Sequence, residues 1–277
     1  MKIMDIPVYV ICLQKTRKSR CDPTYHAWKN VMSNTQRLVA VTPSDFKLEK
    51  VTHPYALSCI RNKERKTLEL IGSDKEVACA MSHIKAWKTI AESNQPGIVV
   101  EDDMAMSQRK IEKMVYQLTR MPQDTEVYLF YFNGINLKSE PLPRGYIDVK
   151  QFAGIMAYYL TPQAARKLLK NAFPIIMQVD TYVSKAGLKV RSRRENKMPW
   201  IKFMKDNLAS TLGKNHVSST MFVMLIAMVV TIIVLIVVIC IWTSREQAQH
   251  HHIHELEVLA SRKPRLKQMK HKKKKGK

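Results

Sequence analysis

Residues 97–104, Gly-Ile-Val-Val-Glu-Asp-Asp-Met, decide how this chain is read. Ile98, Val99 and Val100 follow Pro96-Gly97 and make a short strand that is apolar on both faces, the kind buried inside a parallel sheet. The strand ends in Glu101-Asp102-Asp103. Upstream, Ser73 with Glu76 three residues later forms a capping box. It opens a helix carrying Val77, Ala80, Met81, Ile84, Trp87 and Ala91 along one side. A helix, a Pro-Gly turn and a buried strand in succession are the repeating unit of an α/β fold.

The same alternation extends in both directions. Val8 to Leu13 is a first strand. Asp22 and Pro23 read as N-cap and first position of a helix reaching about Met32. Arg37 to Val41 is a second strand, closed by Thr42-Pro43-Ser44, and the polar stretch from there to Gly72 reads as loop. Ser107 is placed to cap a helix bearing Ile111, Met114, Val115 and Leu118. Val127 to Phe132 and Gly154 to Leu160 are further strands, and Thr161-Pro162 caps a helix with Ala165, Leu168 and Leu169 inward. The expected domain is α/β with a largely parallel sheet. The apolar run Ile175 to Val179 ends, like the strand at 98–100, in a carboxylate, Asp180.

Carboxylates at the C-terminal end of a buried parallel strand lie where open α/β sheets bind ligands. Three adjacent acids repel one another and gain stability from a divalent cation. The plainer alternative, that Asp102 or Asp103 caps the following helix, is weakened by Ser107. All-oxygen ligands select Mg²⁺ or Mn²⁺ rather than zinc.

The chain has 277 residues, with 46 Lys and Arg against 23 Asp and Glu, a net +23 that calls for an anionic partner. Residues 221–242 run for 22 positions without a charge. At about 1.5 Å per residue they cover a hydrocarbon core of about 30 Å. They read as a single membrane span, preceded by a basic juxtamembrane segment at 191–220, where lipid headgroups are the expected contact. A basic tail at 243–277 follows. In that tail His250, His251, His252 and His254 have no second ligand cluster and read as a solvated segment. Residues 1–184 keep 26 Lys and Arg against 18 Asp and Glu. The apolar run Ile6 to Leu13 is preceded by Asp5, interrupted by Pro7 and followed by no small-residue cleavage site, so it reads as strand rather than signal peptide. Five cysteines, Cys12, Cys21, Cys59, Cys79 and Cys240, form no framework spacing and give no argument for an oxidising compartment.

Several of these segments together resemble glycosyltransferase family 25, the group that contains lipopolysaccharide-type sugar transferases and the procollagen galactosyltransferases. Val10-Ile11-Cys12-Leu13 followed by Arg17 and Arg20 is similar to that family's opening motif. Cys79, Ser82-His83 and Trp87 are similar to its C-x-x-SH-x-x-x-W segment, and Val99 through Met104 to its acidic motif. Gly154 through Leu169 resembles its Tyr-bearing strand and Ala-rich helix, with Asp180 at its later Asp. The resemblance covers residues 6–190 and implies a GT-A-like, Rossmann-like domain at 1–190 that binds a nucleotide-sugar, UDP-linked, together with Mn²⁺ or Mg²⁺. Past residue 185 the sequence departs from the family pattern.

The resemblance implies roles for individual residues. Asp103 is the first-choice metal ligand, with Glu101 and Asp102 supporting the metal or contacting the ribose. Arg17 and Arg20 pair with the diphosphate bidentately. His83 lines the site, although on its helical stripe it also reads as a hydrogen-bonded core residue. Inverting transfer needs a base for the acceptor hydroxyl, and Asp180 is the candidate. The acceptor is a glycan or protein hydroxyl. A non-catalytic, degenerate transferase domain that binds anionic lipid or nucleic acid is the rival. The Lys-rich runs lack interleaved aromatics, which ranks nucleic acid below a sugar nucleotide. Lys274-Lys275-Gly276-Lys277 resembles a di-lysine endoplasmic-reticulum retrieval signal, and the lysines and arginines flanking the span balance, leaving its orientation open.

Overall fold

A computed structural model describes residues 3–198, apart from 65, 66, 68 and 105. All of these fall in the first of the chain's two units, Met1–Met204. The apolar run at 221–242, the tail and positions 199–220 of the juxtamembrane segment lie outside the described residues; positions 191–198, read as juxtamembrane, instead belong to the folded sheet. No helix among the described residues is long and apolar enough to cross a membrane.

The domain is a seven-stranded mixed sheet covered by helices. In chain order the elements are β1 (Val8–Cys12), α1 (Asp22–Lys29), β2 (Thr35–Val39), α2 (Leu48–Val51), α3 (Pro54–Asn62), α4 (Asp74–Ser93) and β3 (Gly97–Glu101). They continue as α5 (Gln108–Leu118), β4 (Val127–Pro141), β5 (Tyr146–Leu160), α6 (Pro162–Lys170), α7 (Val179–Lys185), β6 (Val190–Arg193) and β7 (Lys197–Met198). The strand order is β2-β1-β3-β5-β6-β4-β7, with β4 and β5 also paired to each other.

The sheet is largely parallel, as expected: six of its seven strands run the same way, β4 pairing parallel with β6 and β7. β2, β1 and β3 run parallel, but β5 pairs antiparallel with β3, β4 and β6. β5 reverses because it and β4 are the two 15-residue strands of one long hairpin. Arg144 (φ 59°) and Gly145 (φ 75°) make its turn in the left-handed region. The outer half of β5 adds Ile147, Val149 and Phe152 to the core, so this strand starts at Tyr146 rather than at Gly154.

Other local readings are corrected too. Asp22 is not a cap: a single π-helical turn, Arg17–Cys21, runs straight into α1, and the Asp22 carboxylate pairs with Arg17 and Arg37 instead. The stretch read as loop holds α2 and α3; α3 starts at Pro54, with His53 Nδ1 accepting from the Tyr55 N–H. Ile175 and Met177 make only isolated bridges, to Thr52 and Leu70, and Asp180 sits in the first turn of α7. Ser107 occupies the N-cap of α5 without a side-chain capping bond. Cys12 and Cys21, both buried, are joined in a disulfide that their spacing did not announce.

Alternation along the strands divides the core and positions the site. Val8, Val10 and Cys12 of β1, with Ile98 and Val100 of β3, pack against α1 and α5. Tyr9, Ile11 and Val99 face the other way, toward α4 and α6. Gly97 lets α4 approach closely, since a Cβ there would lie 2.8 Å from Ile90 Cγ1. Continuing the period of two from Val99 puts Glu101 on the α4 face.

Candidate active site

On α4, Cys79, His83 and Trp87 recur every four residues and so stack on one face, one turn apart. That face lies over the end of β3. Tyr158 of β5 stands directly opposite Val99 and therefore projects to the same side. The result is a buried polar chain. Trp87 Nε1 donates to the Tyr158 hydroxyl (2.7 Å), which lies 2.9 Å from His83 Nδ1, and His83 Nε2 lies 3.2 Å from Glu101 Oε1. The His83 and Tyr158 rings stack at 5.8 Å and 18°. His83 is 1% exposed, with Nδ1 facing Tyr158 and Nε2 facing Glu101. Ser82 serves the scaffold: its hydroxyl donates to Ala78 O and accepts the Val41 N–H, tying the β2 exit to α4.

The turn after β3 belongs to Asp102. Its carboxylate accepts the Leu13 N–H (3.1 Å) and pairs with Arg20 Nη2 (2.8 Å), while its carbonyl accepts from Thr24 Oγ1 (2.9 Å). Asp102 is 6% exposed and already surrounded by donors, which makes it the organiser of the loop between β1 and α1. The same Arg20 nitrogen reaches Asp103 Oδ2 at 2.9 Å, and the Asp103 side chain is 47% exposed. Arg20 Nε is buried and has no hydrogen-bond partner. Arg17 turns outward to Asp22. Asp180 is buried at the start of α7, where Oδ2 accepts the Gly154 N–H and Oδ1 the Thr181 N–H, both at 2.7 Å.

Arg20, Cys79, His83, Glu101 and Asp102 border a cavity of about 470 Å³ at the carboxyl ends of β1, β2 and β3, whereas Asp103 and Asp180 are not among its lining residues. Lys15, Arg20 and Lys75 contribute cations to its wall, and Cys79, His83, Glu101 and Asp102 contribute to its floor. Lys15 and Lys75 escape a reading of the sequence, because nothing local distinguishes them from other surface lysines. Arg17 is not part of the wall.

Electrostatics in the floor run one way. Burial raises the Glu101 carboxyl; the His83 hydrogen bond opposes it, and the charges of Asp103 and Asp180 add to it. Burial also raises Asp102, against the Leu13 N–H and Arg20. Cys79 opens into the cavity, yet close packing and then Glu101, Asp180 and Asp103 push its thiol well up. Glu101, Asp103 and Asp180 thus form a concentration of negative charge that a bound cation would relieve.

The family model described as glycosyltransferase family 25 (LPS biosynthesis protein) matches residues 5–183. Residues 199–268 match a model described as African swine fever virus J13L protein. No curated protein matches the chain. Among solved structures, UDP-glucose pyrophosphorylase complexed with UDP-glucose is similar at 14% identity and a TM-score of 0.37, over 70% of this chain and 91% of that one. The family match takes in β1 to β5, the α4 histidine, the acidic strand end and Asp180, and most of the chain, so the chain belongs to glycosyltransferase family 25.

Proposed function

We propose that this family member transfers a hexose from a UDP-sugar to a hydroxyl of a glycan or protein, with inversion at the anomeric carbon. The observation that carries the reading is the cavity at the carboxyl ends of β1 to β3, walled by Lys15, Arg20 and Lys75 and floored by Glu101. A cavity of this size accepts a sugar nucleotide, and the buried, unpartnered Arg20 Nε offers a donor to a diphosphate.

A divalent Mn²⁺ or Mg²⁺ would be held by Glu101 and Asp103, the charge of Asp103 adding to the burial that raises the Glu101 carboxyl. Asp102 is engaged by backbone and Arg20 and serves as their support. Such an ion supplies charge stabilisation to the departing diphosphate. Lys15, Arg20 and Lys75 orient the phosphates, and Asp180, beside the carboxylate cluster, takes the acceptor proton. His83 holds Glu101 in place through its Nε2.

The apolar segment 221–242 anchors the enzyme in an internal membrane of endoplasmic-reticulum or Golgi type, and the basic residues of 199–220 meet anionic headgroups, whereas Arg191 and Arg193 pair with Asp148 and Glu195 inside the domain. The Cys12–Cys21 disulfide favours a lumenal domain and a cytosolic Lys-rich tail, since disulfides persist in oxidising compartments.

The test is release of UDP from a panel of UDP-sugars by the full chain in detergent, with and without Mn²⁺, in the presence of glycan and protein acceptors. Metal-dependent release that Asp103→Ala abolishes is expected. Absence of turnover with every donor would leave a degenerate transferase domain in place of an enzyme.

A further inference from the structure

Cys79, His83 and Glu101 place one ligand atom each within 4.8 Å of one another. We propose that these three residues bind a thiolate-seeking divalent transition ion of the zinc class, distinct in chemistry from the all-oxygen site at Glu101 and Asp103 and sharing only Glu101 with it.

Three features of the geometry support this site. First, His83 Nε2 and Glu101 Oε1 are 3.2 Å apart. Two ligands of a tetrahedral zinc at about 2.0–2.1 Å are separated by roughly 3.4 Å, so both atoms reach one ion with little movement. Cys79 and His83 sit one turn apart inside the 20-residue α4, so the helix itself sets their spacing.

Second, the histidine has the outer support that metal-bound imidazoles have. Its Nδ1 faces the Tyr158 hydroxyl, and that oxygen is fixed by the Trp87 indole N–H and by burial. Partners of this kind orient the ring and select the nitrogen that meets the metal.

Third, there is an entry path and a vacant direction. Cys79 is exposed to the cavity, while His83 is enclosed behind it. An ion arriving from the cavity meets the sulfur first; the thiol proton leaves to solvent as the metal–sulfur bond forms. Three protein ligands then leave a fourth position directed into the cavity for water or a phosphate oxygen. Sulfur and imidazole nitrogen favour zinc, cobalt or copper over magnesium and manganese.

The experiment titrates Co²⁺ into the purified full chain carrying His250, His251, His252 and His254→Ala, which removes the competing tail imidazoles. The expected result is one equivalent bound, with a sulfur-to-cobalt charge-transfer band in the near ultraviolet and tetrahedral d–d bands in the visible, displaced by Zn²⁺. Cys79→Ser should abolish the charge-transfer band, Cys59→Ser should leave it, and Tyr158→Phe should weaken binding about tenfold. In the chain with native cysteines, Zn²⁺ should slow alkylation of Cys79, located by mass spectrometry, so the proposal is also tested without substituting a ligand. No thiolate band, a band that survives Cys79→Ser, or alkylation of Cys79 at the same rate with and without Zn²⁺ each overturns the proposal. None of these readouts depends on whether the transfer reaction proceeds.

Discussion

Asp102 and Asp103 share one guanidinium nitrogen of Arg20, at 2.8 and 2.9 Å, yet the first is buried and the second is open to solvent. Neighbours in sequence therefore have opposite work. Removing Asp102 leaves the half-buried Leu13 N–H without this acceptor and loosens the loop before α1. Asp102→Ala should cost about 2–3 kcal/mol of unfolding free energy. Asp103→Ala removes a mostly exposed ion pair and should cost under about 1 kcal/mol, while abolishing UDP release. Urea unfolding and the donor assay on both variants check this, and equal stability losses would contradict the division of labour.

Asp180 has both oxygens committed to backbone donors, Gly154 N–H and Thr181 N–H. Asp180→Asn keeps the shape but turns one acceptor into an NH₂ group facing an N–H. Stability should fall by about 1–3 kcal/mol. If Asp180 also takes the acceptor proton, kcat/KM of the folded variant should drop by a factor on the order of 10²–10⁴. The comparison is made at a temperature where circular dichroism finds the variant folded; loss of stability with full turnover would reduce Asp180 to a clamp between α7 and β5.

How far this site is legible in the sequence follows from the range of each interaction. The acids at 101–103 and the 79/83/87 spacing on α4 are local patterns, visible as an apolar strand ending in carboxylates and as a helical repeat. The role of Asp102 is not local, because its donors come from residues 13, 20 and 24. Tyr158 enters the site only through the register that sets it opposite Val99. The outer half of β5 is legible in the alternation of Ile147 and Val149 with Asp148 and Lys150, but its reversal against β3 is set by the register of distant strands. Arg17 and Arg20 look equivalent in sequence, and a π-helical turn sends one outward and the other to the acids.

Glu126 connects three segments: it pairs with Lys167 of α6 at 2.6 Å and accepts the Lys189 N–H at 2.9 Å just before β6. Burial raises its carboxyl, but the Lys167 and Lys189 contacts outweigh it and hold the group below its ordinary value of 4.5. A depressed carboxylate stabilises the fold above its unfolded pKa and loses that contribution as pH falls through the folded one. Stability should therefore decline below about pH 4.5 with a component that Glu126→Gln removes. Chemical unfolding of both proteins from pH 7 to pH 3 checks it; parallel profiles would be the contrary result.

The Cys12–Cys21 disulfide closes a nine-residue separation that contains Arg17 and Arg20. Loop-closure entropy for a ring of that size corresponds to about 2–3 kcal/mol. Cys12→Ser should lower stability by that amount. The loop it frees is still held by the Leu13–Asp102 and Arg20–Asp102 contacts, so Arg20 keeps its place less firmly rather than losing it. The functional consequence should be a higher KM for the UDP-sugar with kcat less affected, because Arg20 is assigned to ground-state phosphate binding. Dithiothreitol should produce the same shift in the native chain and none in Cys12→Ser. An unchanged KM in both would separate the disulfide from donor binding and leave it a role in stability alone.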